Sequence, residues 1–302
     1  MLLASDDSDS DIVGDQGITF AKLAQKQLRP GVQHNIALAT QYMYPSADPR
    51  RIKLISALML LYFVFDDKVE ETPSQTLASF RDDFMRRLEG HNNSNATPSS
   101  LQSHINSIVE SIEVEDATGG NGGREMLEAL HNAFQCVHPP EEGFQSVNDY
   151  LRFRRYNVGA EFVIAAAKFA IKSDVSVSDE RFNYYLGLVG DHLGLVNDLA
   201  SYDKELRALL RGDTQDMINI VDVINKVTCL DGTAEAKSVV WALQLQIEKQ
   251  MTEELDRLRL HNLTDEEWWF LEAVTSTVTG NVMYCMTTGR YGGEAARIRT
   301  TS

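Results

Sequence analysis

The chain has 302 residues, 43% of them hydrophobic, and a formal net charge of −16. This length suits one large domain or two small ones, and the acidic balance argues against nucleic-acid binding, which requires a basic face. No apolar run reaches the ~18 residues of a membrane span, and the N-terminus lacks the basic and apolar regions of a signal peptide. We therefore expect a cytoplasmic protein without a membrane span or a nucleic-acid partner.

The sequence pattern is helical almost throughout. We expect residues 1–16, which are rich in Asp, Ser and Gly, to form a flexible acidic segment, and residues 17–302 to form one α-domain. Apolar residues recur at intervals of three and four along stretches that contain little Pro or Gly. These stretches predict helices over residues 54–71, 101–114, 147–172, 179–210, 234–260 and 265–288. Short polar breaks separate them and no β-hairpin signal occurs, so the expected fold class is all-α.

Two carboxylates end the first of these predicted helices. Asp66 and Glu70 follow the apolar run 54–64 and stand four residues apart, so they share a helix face. Taken alone, this cluster fits a solvated acidic surface as well as it fits a metal site. Asp67 is rotated by about 100° from Asp66, so we do not expect it to bind metal directly.

The run 197–205 carries the strongest signal for metal binding. Asn197, Ser201 and Glu205 recur every four residues within a predicted helix, so their side chains fall within roughly an 80° arc. An amide, a hydroxyl and a carboxylate provide the oxygen ligands that a hard cation such as Mg²⁺ prefers. If the helix that carries Asp66 faces this one, Mg²⁺ ions can bind between them, with substrate phosphates completing the coordination.

Two segments resemble the metal-binding motifs of class I terpene cyclases. The run 66–70 (DDKVE) is similar to the aspartate-rich motif of that family, although it ends in Glu rather than Asp. The run 197–205 (NDLASYDKE) is similar to the second metal motif, with Lys204 in the place of a basic residue common in microbial members. The resemblance implies three Mg²⁺ ions bound together with diphosphate. The implied metal ligands are Asp66, Glu70, Asn197, Ser201 and Glu205.

Two further segments resemble the parts of these enzymes that hold the diphosphate. Arg155 lies 42 residues before Asn197 and four before Gly159, like the diphosphate-sensing arginine of the family. Arg290 and Tyr291 are similar to its terminal Arg-Tyr pair. The order of the four motifs is most like that of fungal sesquiterpene cyclases. The catalytic residues that the resemblance implies are Arg155, Lys204, Arg290 and Tyr291.

Several residues near these motifs are candidates for the wall of a substrate cavity. A carbocation must be protected from water, and aromatic faces stabilise it without reacting. For each aromatic residue, ordinary core packing is an equally good interpretation, and one position, Tyr284, holds Trp in many family members. The candidate positions are Tyr62, Phe63, Gly159, Phe162, Asn281 and Tyr284.

Four other residues complete the expectations for the site. By resemblance, Asp67 pairs with Arg290, and this pair couples closure of the C-terminal segment, residues 289–302, to the metal site. Gly187 and Gly190 indicate either close helix packing or an opening at the cavity floor. His192 is more readily explained as a buried, hydrogen-bonded residue than as a catalytic base.

The implied function is Mg²⁺-dependent ionisation of a linear prenyl diphosphate, followed by cyclisation to a sesquiterpene hydrocarbon or alcohol. Farnesyl diphosphate is the expected substrate, and a diterpene cyclase acting on geranylgeranyl diphosphate is the first alternative. A chain-elongating prenyl diphosphate synthase should have two aspartate-rich motifs, and a non-catalytic isoprenoid-binding protein should have lost a metal ligand. The resemblance implies a single catalytic α-domain, a class I terpenoid synthase-like bundle around a central apolar cavity, acting as a monomer or homodimer.

Overall fold

The computed structural model describes residues 32–71, 74–89, 100–116, 121–135, 138–214, 217–230 and 232–291. These segments contain α-helices and no strand, which confirms the all-α prediction. The predicted acidic segment 1–16 lies outside them. The helices are α1 (Val32–Met43), α2 (Pro49–Glu71), α3 (Ser74–Leu88), α4 (Ser100–Asp116), α5 (Gly123–Ala133), α6 (Val147–Asn157), α7 (Ala160–Ile171), α8 (Asn183–Arg211), α9 (Ile220–Thr228), α10 (Thr233–Arg259) and α11 (Asp265–Thr287).

The predicted helices correspond to α2, α4, α8, α10 and α11, and to α6 with α7. The run 147–172 is divided in two because Gly159 adopts a left-handed backbone conformation, with φ of 71°, through which a helix does not continue. Helix α2 begins earlier than predicted, since the side chain of Asp48 accepts hydrogen bonds from the backbone N–H groups of Arg50 and Arg51 at 2.9 Å. Helices α1, α3, α5 and α9 were not assigned individual bounds from the sequence, although the pattern was helical almost throughout.

Helix α8 lies at the centre of the fold and positions the site. It packs against α6, α7, α9, α10 and α11, and every residue from 188 to 196 is buried. This buried segment is mostly apolar, and its polar residues Asp191 and His192 pair with side chains of α6 and α10. The second half of α8 carries the residues of the predicted metal motif and emerges beside α6 and the start of α9. Among the described helices, none combines the length and apolar character needed to cross a membrane.

Candidate metal and diphosphate site

Asn197, Ser201 and Glu205 lie on successive turns in the second half of α8, as their spacing predicts. The side chain of Ser201 is buried, and its Oγ atom makes no hydrogen bond of regular geometry within the described part of the chain. Buried hydroxyls without a hydrogen-bond partner are uncommon, because burial removes their hydrogen bonds to water and the protein usually replaces them. An available oxygen between an amide and a carboxylate suits Mg²⁺, so these residues fit the expected metal.

The carboxyl group of Glu205 lies in surroundings that are short of positive charge. Burial raises its pKa to about 7, and the negative charge of Asp198 adds to this effect. The Ser201 hydroxyl, the Arg154 guanidinium and the Asn219 amide act in the opposite direction without reversing it. A divalent cation would supply the missing charge and would favour the ionised carboxylate.

Asp198, the second residue of the motif, is fully buried and links three helices. Its carboxylate accepts hydrogen bonds from the Tyr150 hydroxyl at 2.5 Å, from Arg154 Nε at 3.0 Å and from the backbone N–H of Ile220 at 3.0 Å. Burial raises the pKa of Asp198, and the charge of Arg154 and these hydrogen bonds oppose the rise. The cluster fixes α6 and the first residue of α9 against α8.

Arg154 is the arginine that the structure brings to the metal motif. Its Nη2 atom donates to Asn197 Oδ1 at 2.8 Å and lies 2.7 Å from Asp198 Oδ1, and its Nη1 atom contacts Asn157 Oδ1. Burial disfavours the charge of Arg154, but nearby groups, Asp198 above all, outweigh burial and raise its pKa. A buried and permanently charged guanidinium therefore lies against the predicted metal ligand Asn197.

Arg155, which the sequence assigns to the diphosphate, forms a different ion pair. Its Nε and Nη2 atoms donate to the two carboxylate oxygens of Asp191 at 2.6 and 2.7 Å. Arg154, one residue earlier, is the arginine in contact with Asn197. Neighbouring residues of a helix point about 100° apart, so Arg154 and Arg155 face different residues of α8. The catalytic role of Arg155 stays a prediction.

The glycines of α8 make room for both arginines. A Cβ atom added at Gly187 would lie 3.1 Å from Arg155 Nη1, and one at Gly190 would lie 3.2 Å from Arg155 Cγ. A Cβ at Gly194 would lie 3.0 Å from Arg154 Cγ. Helix α8 continues through all three positions. Close packing against α6 therefore accounts for these glycines.

The residues after α11 reach the same site. The Tyr291 hydroxyl accepts a hydrogen bond from Asn197 Nδ2 at 2.9 Å, and its ring is buried. The Arg290 guanidinium lies 5.0 Å from the centre of the Phe63 ring and 5.9 Å from that of Tyr291. The Arg-Tyr pair therefore lies between the metal motif and the aromatic residues of α2.

Four of the six predicted cavity residues form a continuous aromatic group. Tyr62 stacks on Phe162 with ring centres 6.4 Å apart and lies 6.2 Å from Phe63. Phe63 lies 5.9 Å from Tyr284, which in turn lies 6.0 Å from Tyr291. The group extends from α7 across α2 to the Arg-Tyr pair, so these side chains are close to the candidate site.

The other two predicted cavity residues make contacts between helices. Gly159 lies against Tyr62, since an added Cβ atom would be 3.3 Å from that ring, and the Tyr62 hydroxyl donates to the backbone oxygen of Asn157 at 2.8 Å. Asn281 is buried and donates to the backbone oxygen of Leu193 at 3.4 Å. These contacts are also those expected of core packing, so a role in lining a cavity stays a prediction for both residues.

The aspartate-rich half of the site belongs to α2, but its side chains lie outside the described part of the structure. This applies to Asp66, Asp67 and Glu70, so their metal ligation and the Asp67–Arg290 pair stay predictions. Residues 292–302, most of the proposed closing segment, also lie outside it. Lys204 is half-buried on α8, and its contact with a diphosphate is likewise a prediction.

His192 faces away from the metal motif. Its Nε2 atom lies 3.0 Å from Glu248 Oε1 of α10, and its ring is buried. Burial lowers its pKa, and the neighbouring Glu248 opposes the effect. The structure therefore agrees with a buried, hydrogen-bonded histidine.

Tyr150 and Asn219 were not singled out in the sequence. Asn219 precedes a short apolar stretch and could have been read as the cap of a helix. Its contact with Glu205, described below, joins separate parts of the chain, so no local sequence pattern predicts it. Tyr150 has no sequence signal beyond its place on the apolar side of α6.

Comparison with known proteins identifies the family. The profile described as terpene synthase family 2, C-terminal metal binding, matches residues 57–250, well over half of the chain. This chain therefore belongs to the terpene synthase family.

Curated relatives include fungal terpene cyclases. Terpene cyclase 6 of Gibberella fujikuroi is 29% identical over 259 residues, which cover 84% of this chain and 66% of that protein. Phomopsene synthase of Phomopsis amygdali is 23% identical over 87% of this chain and 36% of its own length. Aristolochene synthase of Aspergillus terreus is 24% identical over 88% of this chain and 83% of its own. The chain thus spans less than two thirds of the length of the first two relatives.

Solved structures confirm the expected fold. 2-Methylisoborneol synthase from Streptomyces coelicolor A3(2), solved with Mg²⁺ and 2-fluoroneryl diphosphate, superposes with a TM-score of 0.70 at 18% identity over 91% of each chain. Germacradien-4-ol synthase from Streptomyces citricolor has a TM-score of 0.69 at 17% identity, over 87% of this chain and 88% of its own. The class I terpene synthase fold predicted from the sequence is therefore the fold of this chain.

Proposed function

We propose that this chain is a Mg²⁺-dependent class I terpene cyclase that ionises a linear prenyl diphosphate and cyclises the resulting carbocation. The observation that carries the proposal is the row of oxygen ligands Asn197, Ser201 and Glu205 on one face of α8, with the buried guanidinium of Arg154 in contact with it. Membership of a family named for its metal-binding domain supports it. We further propose that three Mg²⁺ ions bind with the diphosphate, and that the protein acts in the cytoplasm as a monomer or homodimer.

Ionisation is slow without assistance because negative charge collects on the leaving diphosphate. Bound Mg²⁺ supplies Lewis-acid stabilisation of that charge, and the residues that would hold it are Asn197, Ser201 and Glu205 of α8 with Asp66 and Glu70 of α2. A guanidinium binds phosphate through two parallel hydrogen bonds. We assign this contact from α6 to Arg154, since it is Arg154 that reaches Asn197.

The remaining donors come from other elements. Arg290 and Tyr291 can donate to the diphosphate from the residues after α11, and Lys204 can do so from α8. Arg155 forms its ion pair with Asp191, and of the two arginines it is Arg154 that contacts Asn197. We therefore place Arg155 behind Arg154 as a candidate.

The aromatic group protects the cation after ionisation. In a dry site the face of an aromatic ring attracts a cation by about 2 kcal/mol or more and does not react with it. Phe63 and Tyr284 lie beside Arg290 and Tyr291, so a cation formed at the diphosphate would first meet these rings. Tyr62 and Phe162 extend the same surface into the bundle.

We propose farnesyl diphosphate as the substrate. One relative, from Streptomyces viridochromogenes, is named as a 7-epi-alpha-eudesmol synthase that cyclises (2E,6E)-farnesyl diphosphate, with 26% identity over 157 residues. The similarity to aristolochene synthase extends over most of both chains. These likenesses favour farnesyl over geranylgeranyl diphosphate.

The deciding experiment supplies the purified chain with farnesyl or geranylgeranyl diphosphate and Mg²⁺, and identifies the products by gas chromatography and mass spectrometry. We expect a cyclic C15 product and free diphosphate from farnesyl diphosphate, and no product when Mg²⁺ is chelated. Glu205→Gln is the matched control. Elongation in the presence of isopentenyl diphosphate would show a chain-elongating synthase, and the absence of Mg²⁺-dependent diphosphate binding would show a non-catalytic protein.

A further inference from the structure

Asn219 caps helix α9 with one half of its side chain. It precedes the first residue of α9 with an extended backbone, and its Oδ1 atom accepts a hydrogen bond from the Val221 N–H at 3.0 Å. The residue is 0% exposed, so both halves of the amide need partners within the protein. Capping accounts for the oxygen and leaves the nitrogen to be explained.

The amide nitrogen of Asn219 reaches back to the metal motif. Nδ2 donates to the backbone oxygen of Asp198 at 2.9 Å and to Glu205 Oε2 at 2.9 Å. Ser or Asp would cap α9 about as well as Asn, but neither has an NH₂ group with two hydrogens to donate. The need to cap α9 therefore does not explain the asparagine, whereas the two contacts with α8 do.

The two acceptors lie one before and one after Ser201. Asp198 and Glu205 are seven residues apart, so the amide spans two turns of α8. The Asn219 amide donates one hydrogen to the backbone oxygen of Asp198, and this bond fixes the direction of the other hydrogen toward Glu205. A glutamate side chain loses considerable rotamer freedom when it is held in one conformation. A donor already in place reduces the freedom that remains to be lost when Glu205 binds an ion.

We infer that Asn219 is a positioning residue, which holds the Glu205 carboxylate in the orientation that binds Mg²⁺ before the ion arrives. This role rests on the proposed function, because it requires Glu205 to be a metal ligand. Hydrogen-bond partners of metal ligands orient those ligands, and their mutation typically weakens metal affinity by roughly 10–100-fold. Asn219 belongs to neither of the two metal motifs and acts on them from α9.

The test is the variant Asn219→Ser, which keeps a capping side chain and removes both donors to α8. Binding of Mg²⁺ with inorganic diphosphate is measured by titration calorimetry, and folding is followed by circular dichroism. We expect the Mg²⁺ concentration at half-saturation to rise by roughly 10–100-fold with helicity unchanged. The control is Thr264→Ala, which removes the cap of α11 and should lower the melting temperature without changing the Mg²⁺ midpoint.

A double-mutant cycle separates positioning through Glu205 from a general structural role. In a Glu205→Gln background, Asn219→Ser should have little further effect on Mg²⁺ binding, because the ligand that it orients has been lost. Equal, independent effects in both backgrounds would overturn the inference. So would an unchanged Mg²⁺ midpoint in folded Asn219→Ser.

Two outcomes remain to be distinguished. If Asn219→Ser does not fold, Asn219→Thr replaces it, since Thr also caps α9 and also lacks the amide hydrogens, so the Mg²⁺ midpoint should rise in the same direction. If neither variant folds, Asn219 serves the fold and the positioning role is wrong. A wild-type chain that shows no Mg²⁺-dependent binding of diphosphate would contradict the proposed function itself, whatever Asn219 does.

Discussion

Helix α6 sends two neighbouring arginines to two aspartates of α8, and the two ion pairs differ in their surroundings. Arg154 and Asp198 have side chains that are 11% and 0% exposed, and both make further hydrogen bonds to other residues. Arg155 and Asp191 are 40% and 8% exposed and satisfy each other through two parallel hydrogen bonds. The ion pair of Arg154 with Asp198 is therefore part of a larger hydrogen-bond network, whereas Arg155 and Asp191 bind each other.

The difference separates the two halves of α8. The pair at Asp191 joins α6 to the buried first half of α8. The pair at Asp198 lies beside the predicted metal ligands, and Arg154 has a neighbour, Asn197, that belongs to them. We therefore expect substitutions around the Asp191 pair to change mainly stability, and substitutions around the Asp198 pair to change binding and turnover as well.

The largest effect should come from the ligands of the second half. Glu205→Gln keeps the size of the side chain and removes its charge, so we expect Mg²⁺-dependent turnover to fall by roughly two orders of magnitude or more, with helicity unchanged. Asn197→Leu and Ser201→Ala should act in the same direction. Turnover of farnesyl diphosphate and circular dichroism measure the two quantities. Normal turnover by Glu205→Gln would remove the metal assignment.

The second prediction compares the two arginines directly. Arg154→Gln should lower turnover by about 100-fold, the usual effect of removing one donor to developing charge. Arg155→Gln should lower turnover less than Arg154→Gln does. Both variants should lower the stability of the fold, since each leaves a buried aspartate, Asp198 or Asp191, without its guanidinium. Turnover rates of both variants test which arginine acts on the diphosphate, and urea midpoints measure the loss of stability. The opposite order would show that Arg155 binds the diphosphate, as the sequence spacing predicted.

A third comparison uses the glycines beneath the two arginines. Gly187→Ala meets the flexible end of Arg155, so the gain in helix propensity should dominate and stabilise the fold by about 0.5 kcal/mol with unchanged turnover. Gly194→Ala meets Arg154 at Cγ, near the base of a side chain that is held at its other end. We expect it to displace the guanidinium and lower turnover by roughly 10-fold. Equal turnover of the two variants would show that Arg154 tolerates displacement.

The smallest effect concerns pH and His192, in the first half of α8. Burial lowers the pKa of His192 below its ordinary value of 6.5, so the unfolded chain binds a proton more readily than the folded protein does. The free energy of unfolding should therefore fall as the pH drops through that value, and His192→Gln should weaken this dependence. Urea denaturation of both proteins at about pH 7.5 and about pH 5.5 measures the difference. Parallel pH profiles would show that His192 does not contribute.

The metal motif of α8 could be predicted because its geometry is local. A spacing of four residues places side chains on one face of any helix, whatever surrounds it. The choice between Arg154 and Arg155 is not local, since it depends on which side of α6 packs on α8. Three glycines of α8 mark the side on which α6 packs closely, but they do not indicate which side chain of α6 fills the space. These glycines are Gly187, Gly190 and Gly194.

The partners of the motif could be predicted only in part. The aromatic residues Phe63 and Tyr284 were expected near it because each lies close to a motif in the sequence, and the structure brings them together. Asn219 and Tyr150 approach it from separate helices, and their distances depend on how these helices pack. The division of the run 147–172 followed from Gly159, although the pattern of apolar residues continues on both sides of that glycine.

The cluster around Asp198 also makes the site depend on a short element. Helix α9 has nine residues, too few to be stable alone, and its first N–H donates to Asp198 while Asn219 holds Glu205. A local opening that detaches α9 would therefore remove one donor from Asp198 and one donor from Glu205 in a single event. Loss of the proposed metal site on heating would then follow the stability of this small cooperative unit, which can be lower than that of the whole bundle. The site could in this way lose its organisation while most of the helices are still folded.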